Sequence, residues 1–476
     1  MTLEPGMSGR IAQVFAAQQA RALVLRRSGA HERVERVRRL LAAFEAHREA
    51  IYAAAFADFR KPRAEVDLTE ILPVVAEAKH TIRHLAGWMR PHRVPPTMAL
   101  LGTTAEIRYE PRGVTLIVVP WNYPFTLGFG PLVSALAAGC TAVVKPSELT
   151  PACSALTRKI VESAFEPGEV AVFEGDASVA QALLDKPFDH VFFTGSPAVG
   201  KIVMAAAAKH LTSVTLELGG KSPTIVDASA DLRVAARNVV AGKFTNNGQT
   251  CIAPDYILVH ESVKDAFVAA VGAQIDRVYG VDADAQRRSP DYCRIVNDRH
   301  YARVAGLLDD AVARGAVVAH GGARDAGERF IGPTVLMMGT AGPDTRIMDE
   351  EIFGPLLPVL TFRDLGDAIA LVNSKPKPLA LYVFARAQAV IDRILAETTA
   401  GDTCINHTVL HFIHMNLPFG GVNNSGIGKA NGFFGFTAFS HERSVLRDRF
   451  SVAHWMFAPY TARVKRMIAL AIKWFV

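Results

Sequence analysis

Apolar residues recur at helical spacing through the first ninety positions. Ile11, Val14 and Phe15, then Leu40, Leu41 and Phe44, mark helices within residues 8–57; another helical stretch over 64–89 ends before Pro91, with Pro95 and Pro96 following. Beyond them the apolar runs shorten. Residues 105–109 read as a strand, Pro111, Arg112 and Gly113 as a turn, and 114–119 as a buried strand. The chain then alternates, with helices at 127–138 (closed by Gly139) and 151–165, strands at 141–144, 170–173 and 190–193, and a helix opening at Gly200. This spacing predicts an open, mostly parallel α/β sheet. A second alternation is expected from near Thr215, with strands at 224–226, 256–259, 317–319, 358–362 and 381–384 and helices at 261–278, 299–314 and 387–398. No internal repeat or low-complexity linker intervenes, so packed loops are expected between the domains.

The chain has 476 residues, half of them apolar and 21% charged, which suits two or three globular domains and excludes a largely disordered chain. Its 36 glycines show no three-residue period, which excludes collagen. A net charge of +6 over this length is a weak signal for nucleic acid, and no such partner is expected. Seven arginines fall within residues 21–40; a helix there is expected to turn them to solvent, with Val34, Leu40 and Leu41 inward.

The five cysteines (Cys140, Cys153, Cys251, Cys293 and Cys404) are odd in number and lack a C-x-x-C pair, so neither a disulfide framework nor a metal site is expected. A reducing, cytoplasmic setting fits them. The opening MTLEPGMSGR has no apolar segment of the kind a secretory signal needs, and no apolar run approaches the roughly 18 residues of a membrane span. Residues 441–476 combine seven Lys or Arg with several aromatics. The stretch 464–476 reads either as an interfacial helix touching a membrane surface peripherally, through residues 460–476, or as a helix packed on a partner or over the substrate entrance.

The most informative segment is Phe244-Thr-Asn-Asn-Gly-Gln-Thr-Cys251, a polar, glycine-bearing loop running into a cysteine ahead of a buried strand. Backbone N–H groups on such a loop stabilise a thiolate or an oxyanion, although an inert buried thiol has the same local appearance. Upstream, Glu217 ends an apolar strand in Val214-Thr-Leu-Glu-Leu-Gly-Gly-Lys221. Desolvation there would raise its pKa toward that of a general base; a loop carboxylate paired with Lys221 is the alternative. Phe193-Thr-Gly-Ser-Pro-Ala-Val-Gly200 leads from a strand into a helix, where Gly195, Ser196 and Gly200 suit a diphosphate, but it lacks the middle glycine of G-x-G-x-x-G. Pro120-Trp121-Asn122 and Lys145-Pro-Ser-Glu148 place polar groups at strand C-termini, where open α/β sheets bind ligands.

Taken together and in this order, PWNYP, KPSE, FTGSxxVGK, LELGGK, GQTC, EEIFGP and PFGG resemble the aldehyde dehydrogenase superfamily from about residue 20 to 445, and the 34-residue spacing of Glu217 and Cys251 suits it. GQTCIAPDY resembles the class 3 branch, and Ile405-Asn-His-Thr-Val-Leu-His411 is similar to coniferyl aldehyde dehydrogenases within it. The resemblance implies a Rossmann-type cofactor domain (1–105 and 118–216) and an α/β catalytic domain (217–404). It also implies bridging and oligomerisation elements (106–117 and 405–447), a tail (448–476) and a homodimer.

It implies roles as well. Cys251 is the nucleophile, Glu217 the base, and Asn122 with the Cys251 N–H the oxyanion hole. Pro120, Trp121, Lys145, Glu148, Gly195, Ser196, Gly200, Leu218, Glu351 and Phe353 hold NAD or NADP, Glu148 favouring NAD. The implied reaction oxidises an aromatic or medium- to long-chain aldehyde to the acid through a thioester. A coenzyme A-acylating enzyme and a non-catalytic protein of the same fold are the alternatives; Glu217 speaks against the first and the intact Cys251, Glu217 and Asn122 set against the second. Tyr123, His407, His411, Phe412 and His414 are candidates for the substrate funnel. Asn247 and Asn423 depart from the usual residues, and Asn423 replaces a glycine, as asparagine can where φ is positive.

Overall fold

The computed structural model describes residues 5–97, 100–451 and 453–475. A six-stranded sheet carries the first alternation. Val114–Val118 lies at its centre, Thr141–Lys145 and Val170–Val172 follow on one side, and His190–Gly195 and Ser213–Leu218 on the other, all parallel. The short strand Gly426–Ile427 adds antiparallel to Ser213–Leu218. The chain reverses its direction of progress between Val114–Val118 and His190–Gly195, so a crevice opens past their C-terminal ends, where Asn122 and Ser196 lie.

The second sheet has seven strands. Thr334–Met337, Leu356–Phe362, Tyr256–His260, Pro223–Val226, Ala380–Phe384 and Asp402–Ile405 run parallel in that order, and Val317–His320 is antiparallel at one edge. It begins at Pro223 rather than near Thr215, because Ser213–Leu218 completes the first sheet. Glu217 thus sits at the last strand of one sheet just before the chain crosses to the other. A third sheet joins His92–Val94, Thr103–Pro111 and Ser440–Asp448 in antiparallel register. Residues 114–117, expected in a bridge, are instead the middle of the first sheet, since Pro111 and Gly113 end the preceding strand.

Two departures from the sequence reading matter for the site. Arg33 and Arg36 are only 3% and 4% exposed, not solvated. Arg33 Nη1 donates to Ala138 O at 2.6 Å and Arg36 Nη2 to Cys140 O at 2.8 Å, so they satisfy carbonyls at the buried C-terminus of the Thr126–Ala138 helix. Arg36 Nε also pairs with Glu169 at 2.5 Å. The helical stretch after Pro62 is interrupted by a π-helical turn, Asp67–Ile71, which carries Glu70 into the interior. The C-terminal helix is Ala462–Phe475; Leu470 and Ile472 on it are exposed, and Val476 lies outside the described residues. Among the described residues no helix is long and apolar enough to cross a membrane.

Candidate active site

Cys251 ends a loop whose shape depends on three amides. Asn246 and Asn247 both have left-handed backbones (φ 54 and 57), a conformation asparagine tolerates better than most residues. Asn247 Nδ2 donates to Cys293 O at 3.0 Å, so the unusual residue is a fully buried strut between the loop and Cys293. Gln249 ties the loop to the neighbouring segment, donating from Nε2 to Arg294 O (3.1 Å) and accepting from the Val296 N–H at Oε1 (2.9 Å). Cys251 stands on this frame with partial exposure. Burial, with the carboxyls of Glu351 and Glu217 nearby, pushes its thiol up to about 12, while the N–H groups of Cys251 and Ile252 act in the opposite sense.

Glu217 and Cys251 line one cavity of about 260 Å³. The Glu217 carboxyl is buried, neither oxygen has a protein partner, and burial holds its pKa well above the usual carboxylate range, with Asp402 adding to the shift and Lys429 opposing it. Lys221 is not its partner, because that ammonium binds Asp255 at 2.6 Å. Asn122 is 3% exposed, and its Nδ2 donates to Gln249 O at 3.0 Å, which fixes the amide beside the Cys251 loop. An amide nitrogen carries two protons, so a second donor remains.

The expected cofactor residues gather past the first sheet. Lys145 is buried and reaches exposed Glu148 at 2.8 Å. Ser196 caps the Pro197–Ala208 helix and lies exposed at its N-terminus. A Cβ on Gly200 would meet Leu218 Cδ2 at 2.7 Å, so glycine there lets the helix pack close to the strand end. Trp121, after Pro120, packs edge-on to Phe353 with centroids 5.2 Å apart, and Phe353 has φ 46. Glu351 lies against Gly219, where a Cβ would come within 2.0 Å of its Oε2, and accepts from the Gly220 N–H. Burial raises its pKa to about 8, and Oε1 is buried without a partner. That orphaned acceptor fits a ribose hydroxyl, so the residues present suit a dinucleotide.

Of the funnel candidates, Tyr123, His407 and Phe412 line the cavity with Leu68, Leu410 and Ile413. His411 is instead buried behind it, stacked on Phe419 with both ring nitrogens unpartnered and a pKa lowered to about 4 by burial. His414 is exposed. Asn423 has φ 55, as a replacement for glycine requires, and accepts from Lys377 Nζ. Sequence reasoning missed Lys61 and Glu70, which are buried behind Asn122, and half-buried Glu65; the helix expected over 64–89 takes in both glutamates and leaves Lys61 just ahead of it.

Residues 9–445 match the aldehyde dehydrogenase family. The chain is 43% identical over 414 residues to the 4,4'-diaponeurosporen-aldehyde dehydrogenase of Staphylococcus aureus (strain NCTC 8325 / PS 47), covering 87% of this chain and 88% of that protein. It is 42% identical over 414 residues to the dimeric NADP-preferring aldehyde dehydrogenase of Rattus norvegicus, with 87% and 89% covered. A solved structure, the substrate bound state of Staphylococcus aureus AldH, superposes with a TM-score of 0.91 at 40% identity over 99% of this chain and 100% of that one. The chain belongs to the aldehyde dehydrogenase family, oxidoreductases that act on aldehydes with NAD or NADP.

Proposed function

We propose that the chain oxidises apolar aldehydes, long-chain or aromatic, to carboxylic acids through a thioester on Cys251. The observation that carries this reading is the convergence of Cys251 and Glu217 on one apolar-walled cavity, with the Asn122 amide tied to the nucleophile loop. The Cys251 thiol gives up its proton to solvent water, Sγ adds to the aldehyde carbon, and the charge developing on oxygen meets the free Asn122 amide proton and the Cys251 N–H. NAD or NADP, held by Glu351, Lys145 and Ser196, would supply the hydride acceptor needed between adduct and thioester. Glu217, ionised, takes a proton from the water that attacks the thioester and returns it to the Cys251 sulfur as the C–S bond breaks, so the acid leaves, the thiol is restored and Glu217 is ionised again. In net terms aldehyde, oxidised cofactor and water become acid, reduced cofactor and a proton.

Glu351 and Lys145 would hold the two riboses, Ser196 the diphosphate, and Trp121, Leu218 and Phe353 the nicotinamide face. Glu148 favours a free 2′-hydroxyl and hence NAD; its exposure leaves room for NADP. The long outer strand Ser440–Asp448, mostly exposed, is suited to cover by a second copy in a homodimer. The C-terminal helix carries Arg463, Lys465 and Arg466, and no acid follows Asp448 in the sequence, which suits peripheral contact with an anionic membrane from the cytoplasmic side.

The cavity wall sets the substrate. Leu68, Leu410, Phe412 and Ile413 offer few polar partners, and the S. aureus relative is named for 4,4'-diaponeurosporen-aldehyde. With about 0.8 kcal/mol per buried methylene, kcat/KM is expected to rise about fourfold per carbon along an alkanal series until the cavity fills. A flat series contradicts the long-chain reading, and coniferyl aldehyde outperforming decanal would make the substrate aromatic. Free acid as product, with no dependence on added coenzyme A, separates this reaction from acyl transfer.

A further inference from the structure

One buried ammonium and one buried carboxyl stand directly behind Asn122, and the steps above use neither. The side chains of Lys61 and Glu70 have no exposure at all. Lys61 Nζ donates to Glu70 Oε1 and to the Asn122 carbonyl, both at 3.2 Å, and lies 4.4 Å from the centroid of the Tyr123 ring. The other Glu70 oxygen accepts from the N–H groups of Phe125 (3.2 Å) and Thr126 (2.9 Å). These contacts fall on residues 122–126, the turn that presents the Asn122 amide. From the other side, Asn246 Nδ2 donates to the same Asn122 carbonyl at 2.9 Å, and Glu65 fixes Asn246 by accepting its N–H at 3.0 Å.

A dry ion pair is a poor stabiliser, because desolvating two charges costs about as much as their attraction returns. Bulk stability therefore does not explain placing one here. Its geometry does: the ammonium and the amide of Asn246 grip one carbonyl, while the carboxyl grips two N–H groups of the same turn. We propose that Lys61, paired with Glu70, is a positioning residue that holds the Asn122 peptide so that its side-chain N–H faces the oxygen of an aldehyde on Cys251. This rests on the reading of Asn122 as the oxyanion donor.

The test is a double-mutant cycle read by the pre-steady-state burst of NADH. Lys61→Met/Glu70→Gln removes both charges of the pair together. The burst is expected to slow about 10- to 100-fold, as misplacement of a catalytic group does, with aldehyde KM and NAD affinity nearly unchanged. Asn122→Ala alone is expected to slow it about 10²- to 10³-fold. Adding Lys61→Met/Glu70→Gln to Asn122→Ala should then cost no more than about twofold. An equal loss in both backgrounds overturns the positioning role and leaves the Asn122 reading intact. A normal burst in Asn122→Ala overturns that reading and the positioning role with it. If the paired variant does not fold, Glu70→Gln, whose amide oxygen still accepts from Thr126, enters the same cycle with a smaller expected loss and the same criterion.

Discussion

Gly219→Ala is a sharp probe of the cofactor site because its consequence can be worked out from one contact. The new Cβ would stand 2.0 Å from Glu351 Oε2 and 2.6 Å from its Cδ, whereas ordinary contact begins at 3.4 Å. The Gly219 backbone is not in the left-handed region, so the methyl itself is unstrained and the carboxylate must retreat by more than an ångström. At that distance its hydrogen bond to a ribose hydroxyl is lost. Above pH 8, where Glu351 is ionised, a bond to a charged group is worth about 1.5–3 kcal/mol, which predicts roughly 10- to 150-fold weaker binding of NAD at that pH. Isothermal titration of NAD into the purified protein measures this directly. Gly327→Ala is the control, since its Cβ would sit 3.4 Å from Asp325 Oδ1 and displace nothing. Cys251 should still react with iodoacetamide in the absence of cofactor, because the nucleophile loop is untouched. Unchanged NAD affinity in Gly219→Ala would refute the assignment of Glu351 to the ribose.

Other outcomes follow from the same contacts. Hydrolysis of the acyl-enzyme formed from p-nitrophenyl acetate should speed up with rising pH well above the ordinary carboxylate range, because burial raises Glu217 and only its ionised form accepts a proton; a pH-independent rate contradicts its role as base. Arg36→Leu should lower the thermal midpoint, since it leaves Glu169 short of its closest partner and the Cys140 carbonyl unpaired; the cost of breaking such a buried pair is about 3 kcal/mol, and an unshifted midpoint would show that Arg36 is dispensable. Full-length protein should co-sediment with anionic liposomes more than a chain ending at Tyr460, and equal sedimentation would remove the membrane proposal.

How much was readable in advance divides along a physical line. That Cys251 and Glu217 meet at one cavity, with Asn122 tied to the Cys251 loop, is legible because side chains at strand ends and tight turns leave ordered motifs. The left-handed Asn423 follows from the tolerance of asparagine for positive φ. Buried charge is not legible in this way. Arg33, Arg36 and Glu70 look like solvated helix positions and Lys61 like a polar residue between helices, and only the fold reveals that helix-end carbonyls and the 122–126 turn require them. The π turn at Asp67–Ile71 compounds this, since one extra residue rotates Glu70 off the face that 3.6-residue periodicity assigns it. The second sheet starts later than the expected Thr215 for a related reason: Ser213–Leu218 and Pro223–Val226 are both largely buried strands, and pattern alone does not say which sheet each joins.

The central claim is that Cys251 carries the acyl group and Glu217 releases it. Glu217→Gln should therefore give one burst of NADH and then stall, and rapid quenching followed by peptide mass spectrometry should find the acyl mass on the peptide containing Cys251. Acyl mass on another peptide, or steady turnover without an adduct, would contradict the account.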